Sequence, residues 1–412
     1  LRLSERFNKN NYRSRRNNCM NSFPFSPTFK PSQGLQKNLL SVVGVSVLVT
    51  LLGFIFAPQR IWANILLANY YLLGLGLAGM VFIAFQYVAN AEWSVGLRRI
   101  PEAMMSVLPF ASIIMVLLML GIHSLYEWSH HDVVVNDELL SKKTWWLNIP
   151  SFVSRTIFYL GVWLLFAAAI RKSSLLQDVN GDIELTQRNK KYSALFLVVF
   201  GITISFASFD WIMSLEPHWY STIFGLYNFT GIFLNGLAAM TLIAIYLKRR
   251  GTLEHILTAE HLHNLGKLIF AFSTFWMYLW FSQYMLIWYS NIPEETTYFL
   301  QRQKPGWLVF TLLNLLFNWV IPFVVLLPTW TKKNEGVLLR ICIIIMLGHW
   351  LDLFWMILPS VMKEYPVMNV WEIAPMAGAI AAFFFLTFRA LSKHSIVPRN
   401  DPYLVESLPQ RH

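Results

Sequence analysis

The chain has 412 residues, 56% of them hydrophobic and only 13% charged, far more apolar surface than a soluble core of this size needs, so it reads as an integral membrane protein. Its net charge of +11 does not mark a nucleic-acid binder, because most basic residues lie in short segments between long apolar runs, where they set membrane orientation. Two cysteines, Cys19 and Cys342, exclude a disulfide framework, a thiolate zinc site, an iron–sulfur cluster and covalently attached haem, so any redox cofactor must belong to a partner.

In chain order, residues 1–38 are rich in Asn, Arg and Pro, lack apolar periodicity and contain no hydrophobic stretch, as expected of a disordered or partner-bound arm and not of a cleavable signal. Met20 is a candidate start, which would make residues 1–19 an upstream extension. A hydrocarbon core needs about 20 helical residues to cross. Ten apolar runs meet that length: about 39–57, 61–90, 103–122, 151–170, 193–213, 221–247, 263–290, 306–330, 337–358 and 370–390. They are continuously apolar and do not alternate, which excludes an outer-membrane barrel and predicts an all-α polytopic fold. The expected organisation is an arm over 1–38, a ten-helix transmembrane domain over 39–392 and an extended tail over 393–412 that docks on something. The side holding the N-terminus carries 23 Lys and Arg and the opposite side 6, which predicts an inner-membrane protein with both ends in the cytoplasm. On the outer side the loop 123–150 carries His123, Glu127, His130, His131, Asp132 and the pair Trp145 and Trp146, expected to sit in an interfacial belt.

The fifth and ninth runs end alike, with Asp210 seven residues before Pro217 and Asp352 seven before Pro359. A displacement by four helices preserves direction, as a parallel duplication of a four-helix unit would, predicting two four-helix bundles from helices 2–5 and 6–9, flanked by helices 1 and 10.

Ionisable groups inside lipid are costly, about 3 kcal/mol or more for a carboxylate near the bilayer centre, and mark function by default. Asp352 interrupts the ninth run, read as close to its middle, and His349 lies one helical turn away, where the two could share a proton or bind a ligand oxygen; alternatively the pair clamps neighbouring helices. At the outer end of the fifth run Asp210, Glu216 and His218 could exchange protons, or serve as turn chemistry and solvated charge. Asn228 and Asn235 share one helix face, as do Asn314 and Asn318, either lining a water path or joining helices. Glu92, His263 and Lys267 near the cytoplasmic ends could form a proton entrance, or snorkel and meet phosphates. The seventh run carries Phe275, Trp276, Tyr278, Trp280, Phe281, Tyr284, Trp288 and Tyr289 around Gln283, rings that could sandwich a quinone or face lipid. No bound metal or haem is expected.

Two long segments carry a resemblance: Phe209-Asp210-Trp211-Ile212-Met213-Ser214-Leu215-Glu216-Pro217-His218-Trp219-Tyr220-Ser221-Thr222 and Trp280-Phe281-Ser282-Gln283-Tyr284-Met285-Leu286-Ile287-Trp288-Tyr289-Ser290-Asn291-Ile292-Pro293-Glu294-Glu295. With most of the chain from about 40 to 390, they resemble the smaller, ActF-type, NrfD-like membrane subunit of bacterial alternative complex III, a quinol:cytochrome c oxidoreductase. The resemblance implies a ten-helix, cofactor-free subunit in a respiratory complex. It would stand beside a larger NrfD-like sister subunit that holds the main quinol site, with iron–sulfur clusters and haem c in an iron–sulfur and a multihaem cytochrome c subunit. The substrate would be menaquinol or ubiquinol, and the acceptor a periplasmic cytochrome or a terminal oxidase. The role implied for this subunit is proton conduction, structural support or a second quinone pocket. Two rivals stand beside it: a secondary transporter, since a repeat with buried charge suits alternating access, and a structural anchor whose polar residues only join helices.

Overall fold

The computed structural model describes residues 28–407. Ten long helices run through it: α1 Gln33–Phe56, α2 Pro58–Val88, α3 Arg99–Leu125, α4 Ile149–Asn180, α5 Ile183–Trp211, α6 Phe224–Arg249, α7 Ala259–Ser290, α8 Pro305–Leu326, α9 Glu335–Ile357 and α10 Val370–Leu391. Among the described residues there is no strand, and nine of these helices are long and apolar enough to cross a membrane. The expected ten includes α7, which has the length, 32 residues, but whose many Trp and Tyr rings, with Gln283, leave it less apolar than the rest. The chain is therefore an all-α, multi-pass membrane protein.

Several helices outrun their apolar segments. α1 begins at Gln33, six residues before the expected boundary at 39, because Ser32 caps it by accepting from the Leu35 N–H at 3.3 Å. The candidate start Met20 lies outside the described residues. α4 continues ten residues past 170 and α5 starts ten before 193, both through charged sequence. Only Gly181, at φ +64°, and the capping Asp182, which accepts from the Glu184 N–H at 2.9 Å, separate them. Apolarity marks where lipid is, and helix persists beyond it wherever caps allow.

The helices pack as two four-membered rings. In one, α2 touches α3 and α5, and α4 touches α3 and α5; in the other, α6 touches α7 and α9, and α8 touches α7 and α9. The rings meet along α2 and α6, the two most enclosed helices. That seam is tight because Gly236 lies on it: a Cβ there would stand 2.0 Å from the Ala78 Cβ. α1 and α10 pack on each other and on α2, side by side on the first ring. A Cβ on Gly378 would meet the Ser46 Oγ at 2.1 Å, and that hydroxyl donates to the Ala374 carbonyl at 2.6 Å.

At the near end, where α1 starts, the tail after α10 folds back onto the chain itself. Asp401 pairs with Arg98, the Asn400 amide donates to the Asp178 carbonyl at 2.7 Å, and Ser407 Oγ accepts from the Gly96 N–H at 2.9 Å. The docking partner expected for the tail is thus the linker between α2 and α3 together with the end of α4. The far end is closed by short helices, Glu138–Lys142 after α3 and Pro293–Gln303 after α7, and by Arg60 of α2 on Glu372 of α10 at 2.8 Å.

Candidate functional site

Asp352 lies five residues from the last residue of α9, about 8 Å at the rise of an α-helix, so it belongs to the far third of the helix and not to its middle. Its side chain is 1% exposed, and all four helices of the second ring converge on it. Tyr227 of α6 donates its hydroxyl to Oδ1 and Asn314 of α8 donates Nδ2 to the same oxygen at 2.8 Å, while Trp276 of α7 donates Nε1 to Oδ2 at 3.2 Å. Three neutral donors therefore hold the carboxyl, and among the described residues no Lys or Arg pairs with it.

The α8 backbone explains why Asn314 can reach. Pro322 has no N–H to give to the Asn318 carbonyl one turn earlier, and the helix widens over Leu316–Val320 into a π-turn. Ser273 Oγ of α7 donates to the freed carbonyl at 2.5 Å. Asn318 Nδ2 donates to Asn314 Oδ1 at 2.6 Å, which turns the Asn314 amide group toward Asp352. Asn314 and Asn318 thus act in series behind one carboxyl.

His349 is enclosed beside Asp352, but its Nδ1 stands 4.0 Å from Oδ2, beyond hydrogen-bond length, so the direct bond allowed by their spacing is not made. Among the described residues its Nε2 has no partner, in a ring that is 2% exposed. Gly231 provides the room, since a Cβ there would lie 3.1 Å from the imidazole and 3.5 Å from Asp352 Oδ2. The imidazole packs 5.5 Å from the Tyr71 ring of α2, and the Tyr71 hydroxyl reaches Asn235 Oδ1 at 3.1 Å, leaving Asn235 Nδ2 unpartnered. Asn228 accepts from Tyr70 at 3.3 Å and donates to the Phe224 carbonyl at 3.0 Å. Polar groups thus continue from Asp352 across the seam between the rings.

The three residues expected to cooperate at the far end are dispersed into separate pairs. Asp210, fully buried, receives Arg155 through Nε at 2.8 Å and through a terminal nitrogen at 2.9 Å, Tyr159 at 3.0 Å and Trp146 Nε1 at 2.9 Å. Trp146 is consequently a half-buried ligand of that cluster, with the Arg155 guanidinium 4.0 Å over its ring, whereas Trp145 is exposed as a belt residue would be. Glu216 pairs with Arg302 at 2.7 Å, and Arg302 also donates to the carbonyls of Tyr298, Trp355 and Met356. His218 meets Asp137 at 2.6 Å on the exterior. The backbone N–H of Leu140, and then the His218 ring, hold the Asp137 carboxyl below the usual carboxylate range.

At the near end Glu92 lies exposed in the turn Glu92–Leu97, while His263 and Lys267 stand one turn apart on α7. No hydrogen bond or ion pair joins Glu92 to them among the described residues. The charges gathered there are instead Arg99 with Glu102 and Asp178, and Arg98 with Asp401, with Ser174 Oγ donating to Glu102 at 2.5 Å. The spacing of Arg99 and Glu102, one helical turn apart, is the sequence signal for this cluster. Of the α7 rings, Trp276 and Trp280 are buried while Phe275, Tyr278, Phe281, Trp288 and Tyr289 face outward.

Among the described residues no group of three His, Cys, Asp or Glu side chains is placed to hold a metal ion. The arrangement around Asp352 suits proton transfer to or from a small polar group, with a carboxyl poised by neutral donors and an imidazole nitrogen still free to bond. No protein-family model matches the chain, and no curated protein matches it.

Proposed function

We propose that this chain is the cofactor-free membrane subunit of a quinol-oxidising electron-transfer complex of the alternative complex III type. In this reading its second helix ring handles the protons of quinol chemistry. The observation that carries the proposal is the Asp352 carboxyl, enclosed in an apolar helix bundle, bonded by Tyr227, Trp276 and Asn314, and, among the described residues, paired to no Lys or Arg and bordered by the unpartnered Nε2 of His349. A carboxyl kept only to join helices is better served by a cation, as Asp210 is by Arg155. One left with neutral donors can change its protonation without breaking an ion pair.

Oxidation of a quinol releases two protons and two electrons. In this reading Asp352 and His349 take up and pass on protons, while the electrons go to iron–sulfur clusters and haem c of partner subunits, beside the larger sister subunit. The two segments that carry the family resemblance support it, and both reach the short helix Pro293–Gln303: Trp219 of the first stacks on Tyr298 at 3.8 Å, and Trp280 of the second lies 6.3 Å from Phe299. In this reading the near end faces the cytoplasm of a bacterium and the Asp352 end the periplasm, which the charge asymmetry of the loops supports.

The test is purification of the chain from its own membrane in mild detergent. Co-purifying multihaem and iron–sulfur polypeptides with quinol-linked cytochrome reduction are the expected result. A chain that purifies alone and drives substrate flux in liposomes would overturn the reading in favour of a transporter.

A further inference from the structure

α4 spans 32 residues, about 48 Å, whereas a hydrocarbon core takes about 30 Å. Counted from Ile149, its apolar stretch ends at Ile170, and Arg171 and Lys172 follow. The helix then continues to Asn180, and among the described residues one face of this extension has no cover. Ala168, Arg171, Lys172, Leu175, Leu176 and Val179 recur at helical spacing along it and form one open strip of surface. Leu176 is 40% and Val179 79% exposed.

The opposite face is fully engaged: Ser173 accepts from Arg188 at 2.9 Å, Gln177 donates to Thr186 at 2.6 Å, and Asp178 binds Arg99 at 2.5 Å. Among the described residues, by contrast, neither Arg171 nor Lys172 takes part in a hydrogen bond or ion pair. The face is apolar where it should be wet and basic where charge is unanswered.

We propose that this face docks an acidic amphipathic helix of a peripheral partner protein. Its apolar residues would pack on Leu175, Leu176 and Val179, and its Asp or Glu side chains would meet Arg171 and Lys172. Depth argues against lipid as the occupant. Leu175 to Val179 lie about 8–14 Å beyond Ile170, and a headgroup layer adds only about 5–8 Å per leaflet, so acyl chains do not reach Val179. Charge argues against the chain's own N-terminal residues, which carry Arg2, Arg6, Lys9, Arg13, Arg15 and Arg16 against a single acid, Glu5, within 1–27. A second copy using the same face would set Arg171 and Lys172 against their own kind. The C-terminal tail is held on the other side of α4 by Asp178.

The proposal is tested on the full chain in its native membranes, with a photo-reactive residue at Val179 and, as control, at Leu165, which is 72% exposed within the apolar stretch. The expected result at 179 is a stoichiometric protein adduct, its cross-linked peptide carrying at least two Asp or Glu at helical spacing from apolar residues, with only lipid adducts at 165. The surface variants L176D/V179D and R171E/K172E should each lower retention of that polypeptide at least tenfold, with unchanged helix content and elution of the chain. Lipid-only or self adducts at 179, or full retention in both variants, would overturn the proposal. It does not rest on the quinol reading. A partner docked at 179 in a purified complex that as a whole holds no haem and no iron–sulfur cluster would sink that reading alone, and a haem-bearing complex without contact at 179 would sink this one alone.

Discussion

Asp210 and Asp352 occupy matching places, each near the far end of the helix that closes its ring and each seven residues before a proline. Their surroundings are opposite. Asp210 is gripped by the fork of Arg155, with Tyr159 and Trp146 adding bonds, so its charge is answered where it sits. Among the described residues Asp352 has only the neutral Tyr227, Asn314 and Trp276, and an imidazole just out of bonding reach. A buried carboxylate is therefore not in itself a functional mark. The first ring uses one to fasten α4 to α5 and to the loop after α3; the second holds one by neutral donors, with no Lys or Arg pairing it among the described residues.

The largest expected effect comes from breaking the fastened half. Arg155→Met leaves Asp210 buried without its cation, a change that costs about 3–5 kcal/mol. Thermal unfolding in detergent should show it as a large loss of stability, and R155M/D210N should recover most of it. An unfolding midpoint unmoved by R155M would mean that the pair contributes nothing.

In the other half the chemistry should fail by more than the stability. Asp352→Asn keeps the shape of the side chain but turns an amide NH2 toward the Trp276 Nε1–H, a mismatch of about 1–3 kcal/mol and smaller than that of R155M, whereas quinol-linked turnover of the purified complex should fall about a hundredfold, the lower range of acid–base catalysis. Equal turnover in the variant and the parent would remove Asp352 from the path.

Tyr227→Phe sharpens the contrast at smaller scale. It deletes one donor to the carboxyl, worth about 1.5–3 kcal/mol when the acceptor is charged, and should lower turnover by about tenfold and shift its pH profile. A variant that loses stability but keeps the parental pH profile would make Tyr227 a joining residue only.

The smallest effect belongs to the exterior latch of His218 on Asp137, which also anchors the helix Glu138–Lys142 through the N–H groups of Leu139 and Leu140. Because the folded carboxyl is held below its ordinary range, its contribution is complete above the unfolded value, about 4, and is lost as pH falls through the lower, folded value. Amide protection over residues 131–147, with exchange corrected for its intrinsic pH dependence, should therefore fall only in that acid window, and should fall less in D137N. Protection independent of pH there would show that the latch does not order the loop.

The fold was legible in the sequence because lipid imposes a simple demand, long apolar segments that satisfy their own backbone, and all ten runs correspond to helices. What was not legible follows from the same physics. Helix ends set by Ser32, Gly181 and Asp182 are governed by capping, which hydropathy does not register. α7 has the length but not the apolarity, since Trp and Tyr carry polar atoms that the burial of Trp276 puts to use on Asp352.

The site was legible in its acids and amides and obscure in its aromatics. Asp352, His349, Asn314 and Asn318 stood out as polar letters in apolar runs, and three of them meet directly by hydrogen bonds. Tyr227 was hidden in a chain that is 16% aromatic, and Trp276 stood out as a ring that could stack on a quinone or face lipid, not as a donor to Asp352. Arg155 could have been found, being the one charge between 149 and 170. The grouping of Asp210, Glu216 and His218 failed because nearness in a turn does not decide direction: each side chain points to a different element, α4, the helix Pro293–Gln303 and the loop after α3.

The most direct test is the infrared difference spectrum of the purified complex between quinol-reduced and oxidised states, taken with the parent chain, D352N and D210N. Proton exchange at Asp352 predicts a carboxyl C=O difference band present in the parent and in D210N and absent in D352N. A band that survives in D352N, or vanishes only in D210N, would contradict the division of labour between the two rings.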